Sequence, residues 1–80
     1  KVFPNPISQG ATFNVVVELA YSLPISVSIY QVSLGSLIDV TSFSSNTVHS
    51  KAYTLPISSG IYYVVVRTPG NVQTKKLIIN

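Results

Sequence analysis

The sequence predicts an all-β fold, a small antiparallel β-sandwich, and three observations carry that prediction. Apolar residues recur at every second position in segment after segment, the spacing of side chains along one face of a strand. Turn signals rich in Gly, Pro, Asn and Ser separate these segments at intervals of roughly 8 to 14 residues. No stretch shows the roughly 3.6-residue period of an amphipathic helix. Six to seven short strands of this kind within 80 residues fit a sandwich of immunoglobulin-like type.

In "ATFNVVVELA" the odd positions Ala11, Phe13, Val15, Val17 and Leu19 are all apolar, which predicts a strand with that face turned inward. After a break at Leu23-Pro24, "PISVSIYQ" repeats the pattern, with Ile25, Val27 and Ile29 on one face and Ser26, Ser28 and Tyr30 on the other. "SLIDVTSF" is read with Ile38 and Val40 inward and Asp39 and Thr41 outward. "SSNTVHS" is polar and predicts a loop leading into "KAYTLPI", where Tyr53, Leu55 and Ile57 share a face. Ile61 to Val66 is apolar on both faces, which a strand with one face in water does not require. The Pro69-Gly70 turn signal then leads to a last strand, Val72 to Ile79.

So short a chain leaves a large share of its surface exposed, and every strand has to contribute to one core. The absence of cysteine removes disulfides and thiolate metal sites from consideration. The longest apolar run is far shorter than the roughly 20 residues of a transmembrane helix, so no membrane insertion is expected. Two acids, Glu18 and Asp39, stand against Lys1, Lys51, Arg67, Lys75 and Lys76, for a formal charge of +3. Four of these five cations lie at strand ends or in separate segments, without the clustering and stacking aromatics of a nucleic-acid surface. Abundant serine and scarce lysine suggest an exported module.

Catalysis needs convergent titratable groups, and the chain offers one His and two acids. His49, Asp39 and a serine can be drawn as a triad, but His49 falls in a predicted loop and no nucleophile elbow is present. Glu18 and Asp39 read as exposed solubilising charges. The glycines Gly10, Gly35, Gly60 and Gly70 are isolated at turns and form no phosphate loop. The expectation is a protein without catalytic activity, metal or cofactor.

Four patterns succeed one another in a distinctive order: "VFPNP", "VSIYQVSLGSLI", "LPISSGIYYVVV" and "TKKLII". Over essentially the whole chain this order resembles the C-terminal sorting domain of proteins exported by the type IX secretion system, the Por secretion tail family. Pro4, Asn5 and Pro6 match its Pro-Asn-Pro opening, and Gly10 and Phe13 match the next turn and strand. Ile29, Tyr30 and Gly35 match the central segment; Gly60, Ile61, Tyr62, Val64 and Val66 match the late strand. Lys75, Lys76, Leu77 and Ile78 match the closing strand. The turn after Tyr30 is one residue longer than the usual spacing, and Ser58 stands where a proline is common.

These residues also have structural roles to fill. Pro4 and Pro6 are expected to keep the entry segment extended, Asn5 to close an Asx turn, and Tyr62 to fill the core. The resemblance implies that residues 1–80 form a sorting domain, a piece of a larger secreted protein, that directs its cargo across the outer membrane. It implies outer-membrane translocon components as partners, a sortase-like cysteine peptidase that removes the domain, and attachment of the cargo to the cell surface. The route implied is from the periplasm to the surface or medium. Recognition is expected at the second apolar face, Ile61, Tyr63 and Val65, with Lys75 and Lys76 supplying charge. The alternative is an accessory sandwich binding carbohydrate or protein beside a catalytic domain, which the lack of Trp disfavours.

Overall fold

The computed structural model of the chain describes residues 1–33, 35–54 and 58–80. It contains, in order, the strands β1 (Val2–Phe3), β2 (Phe13–Gln31), β3 (Ser36–Tyr53), β4 (Gly60–Thr68) and β5 (Asn71–Ile79). All their pairings are antiparallel, in the order β1-β2-β4-β5, with β3 on the remaining side of β2. The fold is the antiparallel sandwich-like arrangement that the alternation predicts.

The two long strands join what the sequence divides. β2 unites the segments on either side of Leu23-Pro24, and β3 runs straight through "SSNTVHS", the predicted loop. The reason is a hairpin: this polar stretch has β2 beside it, as in Val17↔His49 and Leu23↔Asn46. Backbone pairing needs no apolar side chains, so a polar edge strand is invisible to hydrophobic periodicity. The join is irregular. The register jumps between Glu18 and Leu23 and again between Leu23 and Ile25, and such bulges bend a strand. β2 and β3 together fold over there, so one continuous sheet supplies both layers. Counting the halves of β2 and β3 separately recovers the expected number of strand segments.

The first layer contains β1 and the halves of β2 and β3 around Phe13–Glu18 and Val48–Tyr53. The second contains the other halves with β4 and β5. Between them lies a core of Phe13, Val15, Ile25, Val27, Ile29, Tyr53, Tyr62, Val64, Leu77 and Ile79, closed at one end by Ile7. Phe13 stacks on Tyr53 with ring centres 5.3 Å apart. Tyr62 is buried as expected, and its hydroxyl donates to the Ser58 carbonyl at 2.7 Å. A tyrosine near the start of a strand that bonds back a few residues upstream is a recurring corner in immunoglobulin-like sandwiches. Pro69 and Gly70 turn β4 into β5, Gly70 taking φ +79°, the value a type II turn requires of its third residue.

Four residues, Asp39, Thr41, Val40 and His49, lie elsewhere than expected. Asp39 lies opposite Ile29, and Thr41 opposite Val27, so both belong to the inner side, while Val40 opposite Ser28 faces out. The cause is the register shift at Ile29/Tyr30, which leaves Ile38 as the extra residue and inverts the faces of Asp39, Val40 and Thr41 just beyond it. His49 is buried, with Nε2 2.9 Å from the Leu23 carbonyl and its ring edge-on to Phe43. Leu34, Leu55, Pro56 and Ile57 lie outside the described residues, and with them the face expected for Leu55 and Ile57.

Candidate recognition surface

The outward side of the second layer is a four-stranded surface whose composition is set by register. Tyr30 of β2 has Leu37 of β3 beside it on one side and Tyr63 of β4 on the other. Tyr63 in turn neighbours Lys76 of β5, and Ile61 neighbours Ile78. Further along, Val40, Ser28, Val65 and Thr74 form a second cross-strand row, and Ser42, Ser26, Arg67 and Val72 a third. Leu37, Val40, Ile61, Tyr63, Val72 and Ile78 are all exposed. The inner side of the same strands is used up by the core, so this is the second apolar face that the run from Ile61 to Val66 implies.

Its charge is one-signed. The cations on the face are Arg67 and Lys76, and both acids of the chain lie elsewhere: Asp39 on the inner side and Glu18 in the other layer. The surface is thus an apolar field with two positive charges and a row of serine and threonine hydroxyls.

Two predicted site residues occupy different places from those expected. Val65 is buried, at 8% exposure, although Ile61 and Tyr63 on the same face are 43% and 42% exposed. It stands in the middle of the sheet between Ser28 and Thr74, and Arg67 reaches across to donate to the Ser28 hydroxyl at 3.3 Å. The stem of Arg67 thereby roofs the position beside Val65. Lys75 and Lys76, adjacent in sequence, are not a pair in space. Strand alternation sets Lys76 beside Tyr63 on the outer face and Lys75 beside Val64 on the inner side.

Lys75 instead lines a groove at the open edge between the layers. Val15, Val17 and Val66 form its apolar part, and Lys1, Glu18, Gln73 and Lys75 its rim, around about 130 Å³. The opposite edge of the sandwich is latched. There Thr41 donates to the Asp39 carboxylate at 3.1 Å and accepts from Lys51 at 3.0 Å and from the Tyr53 hydroxyl at 3.2 Å. Burial pushes the Tyr53 hydroxyl pKa above its usual value; its bond to Thr41 opposes this, and the Asp39 charge adds to it. His49 and Asp39, the would-be triad members, are engaged separately, His49 with Leu23 and Asp39 with Thr41. Among the described residues, no three His, Cys, Asp or Glu side chains gather where they could hold a metal ion.

The family-motif residues divide into three kinds. Phe13 and Tyr62 are core, while Tyr30 is half-buried on the outer face. Gly10, Gly35 and Gly60 all take positive φ, with Gly60 opening β4 opposite Ile79. Pro4, Asn5 and Pro6 do not run extended; the chain bends there, and Asn5 closes no turn of its own but reaches the backbone of β5. Leu37, Val40, Arg67, Val72 and Ile78 are recognition candidates that the sequence pattern alone misses. Their signal is cross-strand register, which a single strand's pattern does not contain.

A folded-over β-sheet with a tightly packed interior and one broad apolar outer face defines a β-sandwich module. The chain belongs to the secretion system C-terminal sorting domain family, whose sequence model matches residues 1–80. It is a C-terminal sorting signal of the type IX secretion system, and the protein that carries it is exported. Its partners are the secretion machinery and a cargo region ahead of it in the chain. No curated protein matches the sequence.

Proposed function

We propose that the outer face of the second layer is the surface by which this sorting domain docks on outer-membrane components of the translocon. The observation that carries the reading is the exposure, on one face of the sheet, of Leu37 and Val40 of β3, Ile61 and Tyr63 of β4, and Val72 and Ile78 of β5, with half-buried Tyr30 of β2 between Leu37 and Tyr63. Exposed apolar surfaces of this kind, rimmed by polar groups, commonly mark interaction sites. Arg67 and Lys76 favour a partner whose matching surface is acidic at its margin, since complementary charge steers encounter and fixes orientation. The apolar centre then governs how long the complex lasts.

In this reading the domain is a substrate of export and processing and performs no chemistry itself. It passes through the periplasm, is recognised in folded form, and is removed by a sortase-like cysteine peptidase, leaving the cargo attached at the surface or released. No metal or cofactor takes part.

The test is a reporter with a signal peptide and this domain at its C-terminus, expressed in a host with the type IX machine. Tyr63→Ser and Val72→Ser together should reduce surface delivery severalfold while thermal unfolding of the purified fusion changes little, as for most exposed positions. Full export of that variant would move the docking surface elsewhere; a stable parental fusion held in the periplasm would refute the docking reading altogether.

A further inference from the structure

β1 ends against an edge that continues past it. Lys1 and Val16 form a bonded pair: the Val16 N–H donates to the Lys1 carbonyl at 2.7 Å, and the Lys1 nitrogen donates to the Val16 carbonyl at 2.6 Å. The ladder is antiparallel, with Val2 opposite Val15 and Phe3 opposite Asn14. Each residue upstream of Lys1 therefore advances one step along β2. The residue immediately before Lys1 falls opposite Val17, and the one before that falls opposite Glu18, the next position able to exchange two backbone bonds. On this side of β2 the neighbouring ladder, with β4, begins only at Ser26. Among the described residues, none pairs with Glu18 there.

The space beside this edge is shaped for a side chain. A residue opposite Val17 points to the same side as Val2 and Val15, into the groove of about 130 Å³ that Val17 and Val66 line. A smaller hollow of about 70 Å³ continues it along Leu19, Val66 and Asn71. Val17, Leu19 and Val66 are only half-buried here although they pack against the core.

We propose that the segment immediately upstream of Lys1 in the exported protein extends β1 along β2 as far as Glu18, with the residue next to Lys1 seated in this groove. The proposal rests on the family reading that a cargo region precedes the domain. The occupant is fixed by continuity: the pairing already reaches Lys1, and the next residues of the same chain arrive at the free edge without a turn or a loop. Strand addition of this kind takes its affinity from backbone bonds and its selectivity from the pocket that receives alternate side chains. The cargo junction is then part of the sandwich. Peptide bonds within the paired stretch are shielded from a peptidase that binds its substrate extended, and cleavage falls upstream of the residue opposite Glu18.

The experiment is amide hydrogen exchange on the purified full-length protein, compared with a variant in which the two residues upstream of Lys1 are both proline, which removes the donor to the Glu18 carbonyl and sets a ring against the ladder, so that the paired stretch and with it the acceptor of the Glu18 N–H is lost. The Glu18 amide should exchange at least tenfold faster in the variant, while Phe13 and Val27 keep their protection. Limited proteolysis of the parent should leave a fragment that begins upstream of Lys1. Equal Glu18 exchange in the two proteins overturns the proposal, as does Glu18 protection that rises with protein concentration, which would assign the edge to a second copy. Neither readout uses export, so a failure of the secretion reading and a failure of this one are separable.

Discussion

The side-chain amide of Asn5 does for β5 what a neighbouring strand would do. Its Oδ1 accepts the Ile78 N–H at 3.0 Å and its Nδ2 donates to the Lys76 carbonyl at 2.6 Å. Proline has no N–H to offer, so between Pro4 and Pro6 the side chain of Asn5 takes up the pairing. Two residues on, the backbone resumes it, with Ile7 donating to the Ile78 carbonyl at 3.0 Å and Asn80 to the Ile7 carbonyl at 2.8 Å. The Pro-Asn-Pro motif is thus a clip that closes the outer edge of β5.

This predicts an ordering of substitutions. Asn5→Ala loses both bonds at an exposed edge, where water replaces them in part, and should cost about 1 kcal/mol in urea unfolding. Asn5→Asp keeps the acceptor for Ile78 but turns a carboxylate oxygen toward the Lys76 carbonyl. It should be no more stable than the alanine variant at neutral pH. A fully stable Asn5→Asp protein would show that the clip contributes nothing.

Much of the fold can be read from the sequence because its inward residues keep a strict period. Phe13, Val15, Ile25, Val27 and Ile29 are buried where alternation puts them. The inversion at Asp39 and Val40 is not legible there, because one extra residue at Ile38 reverses the side chains that follow it directly. The strand through His49 is hidden for another reason: its backbone is paired while most of its side chains face water. Of the recognition residues, Ile61 and Tyr63 emerge from the pattern of their own strand. Leu37, Val40 and Val72 join them only through cross-strand neighbours, information that appears when the register is known.

Tyr62 separates the contribution of a ring from that of its hydroxyl. The ring is 1% exposed, and the hydroxyl donates to Ser58. Tyr62→Phe should cost about 1 kcal/mol, the usual net value of a hydrogen bond. Tyr62→Ala should cost roughly 3 to 5 kcal/mol, enough to threaten folding in so small a domain. Equal losses for the two variants in chemical denaturation would mean that the hydroxyl alone, and not the packed ring, matters.

Tyr53 sets an alkaline limit on stability. Its folded-state pKa lies above the ordinary value of 10.0 because burial, aided by the Asp39 charge, disfavours the phenolate. A group whose pKa is raised on folding contributes its stability below the unfolded pKa and loses it as pH rises through the folded one. Stability should therefore fall as pH climbs above about 10, and Tyr53→Phe should lessen that fall. Denaturation midpoints for the two proteins between neutral and alkaline pH decide it; parallel curves would remove Tyr53 from the alkaline response.

Lys75 and Lys76 give the sharpest separation of roles, because they are adjacent in sequence and on opposite sides of the sheet. Lys76 shares its cross-strand row with Tyr63 and belongs to the proposed docking face, whereas Lys75 lies at the rim of the groove near Lys1 and Glu18. Both are exposed, so Lys76→Ser and Lys75→Ser should each change unfolding free energy by less than about 0.5 kcal/mol. Their effects on delivery of a fused reporter should differ. Removing the Lys76 charge weakens steering toward an acidic receptor margin, lowers export, and makes the residual export less sensitive to ionic strength. Removing the Lys75 charge leaves the outer face intact and should leave receptor docking at the parental level. Equal losses of export from the two single variants would show that the machine reads the cations as a linear motif in an unfolded tail and not as positions on a folded sheet.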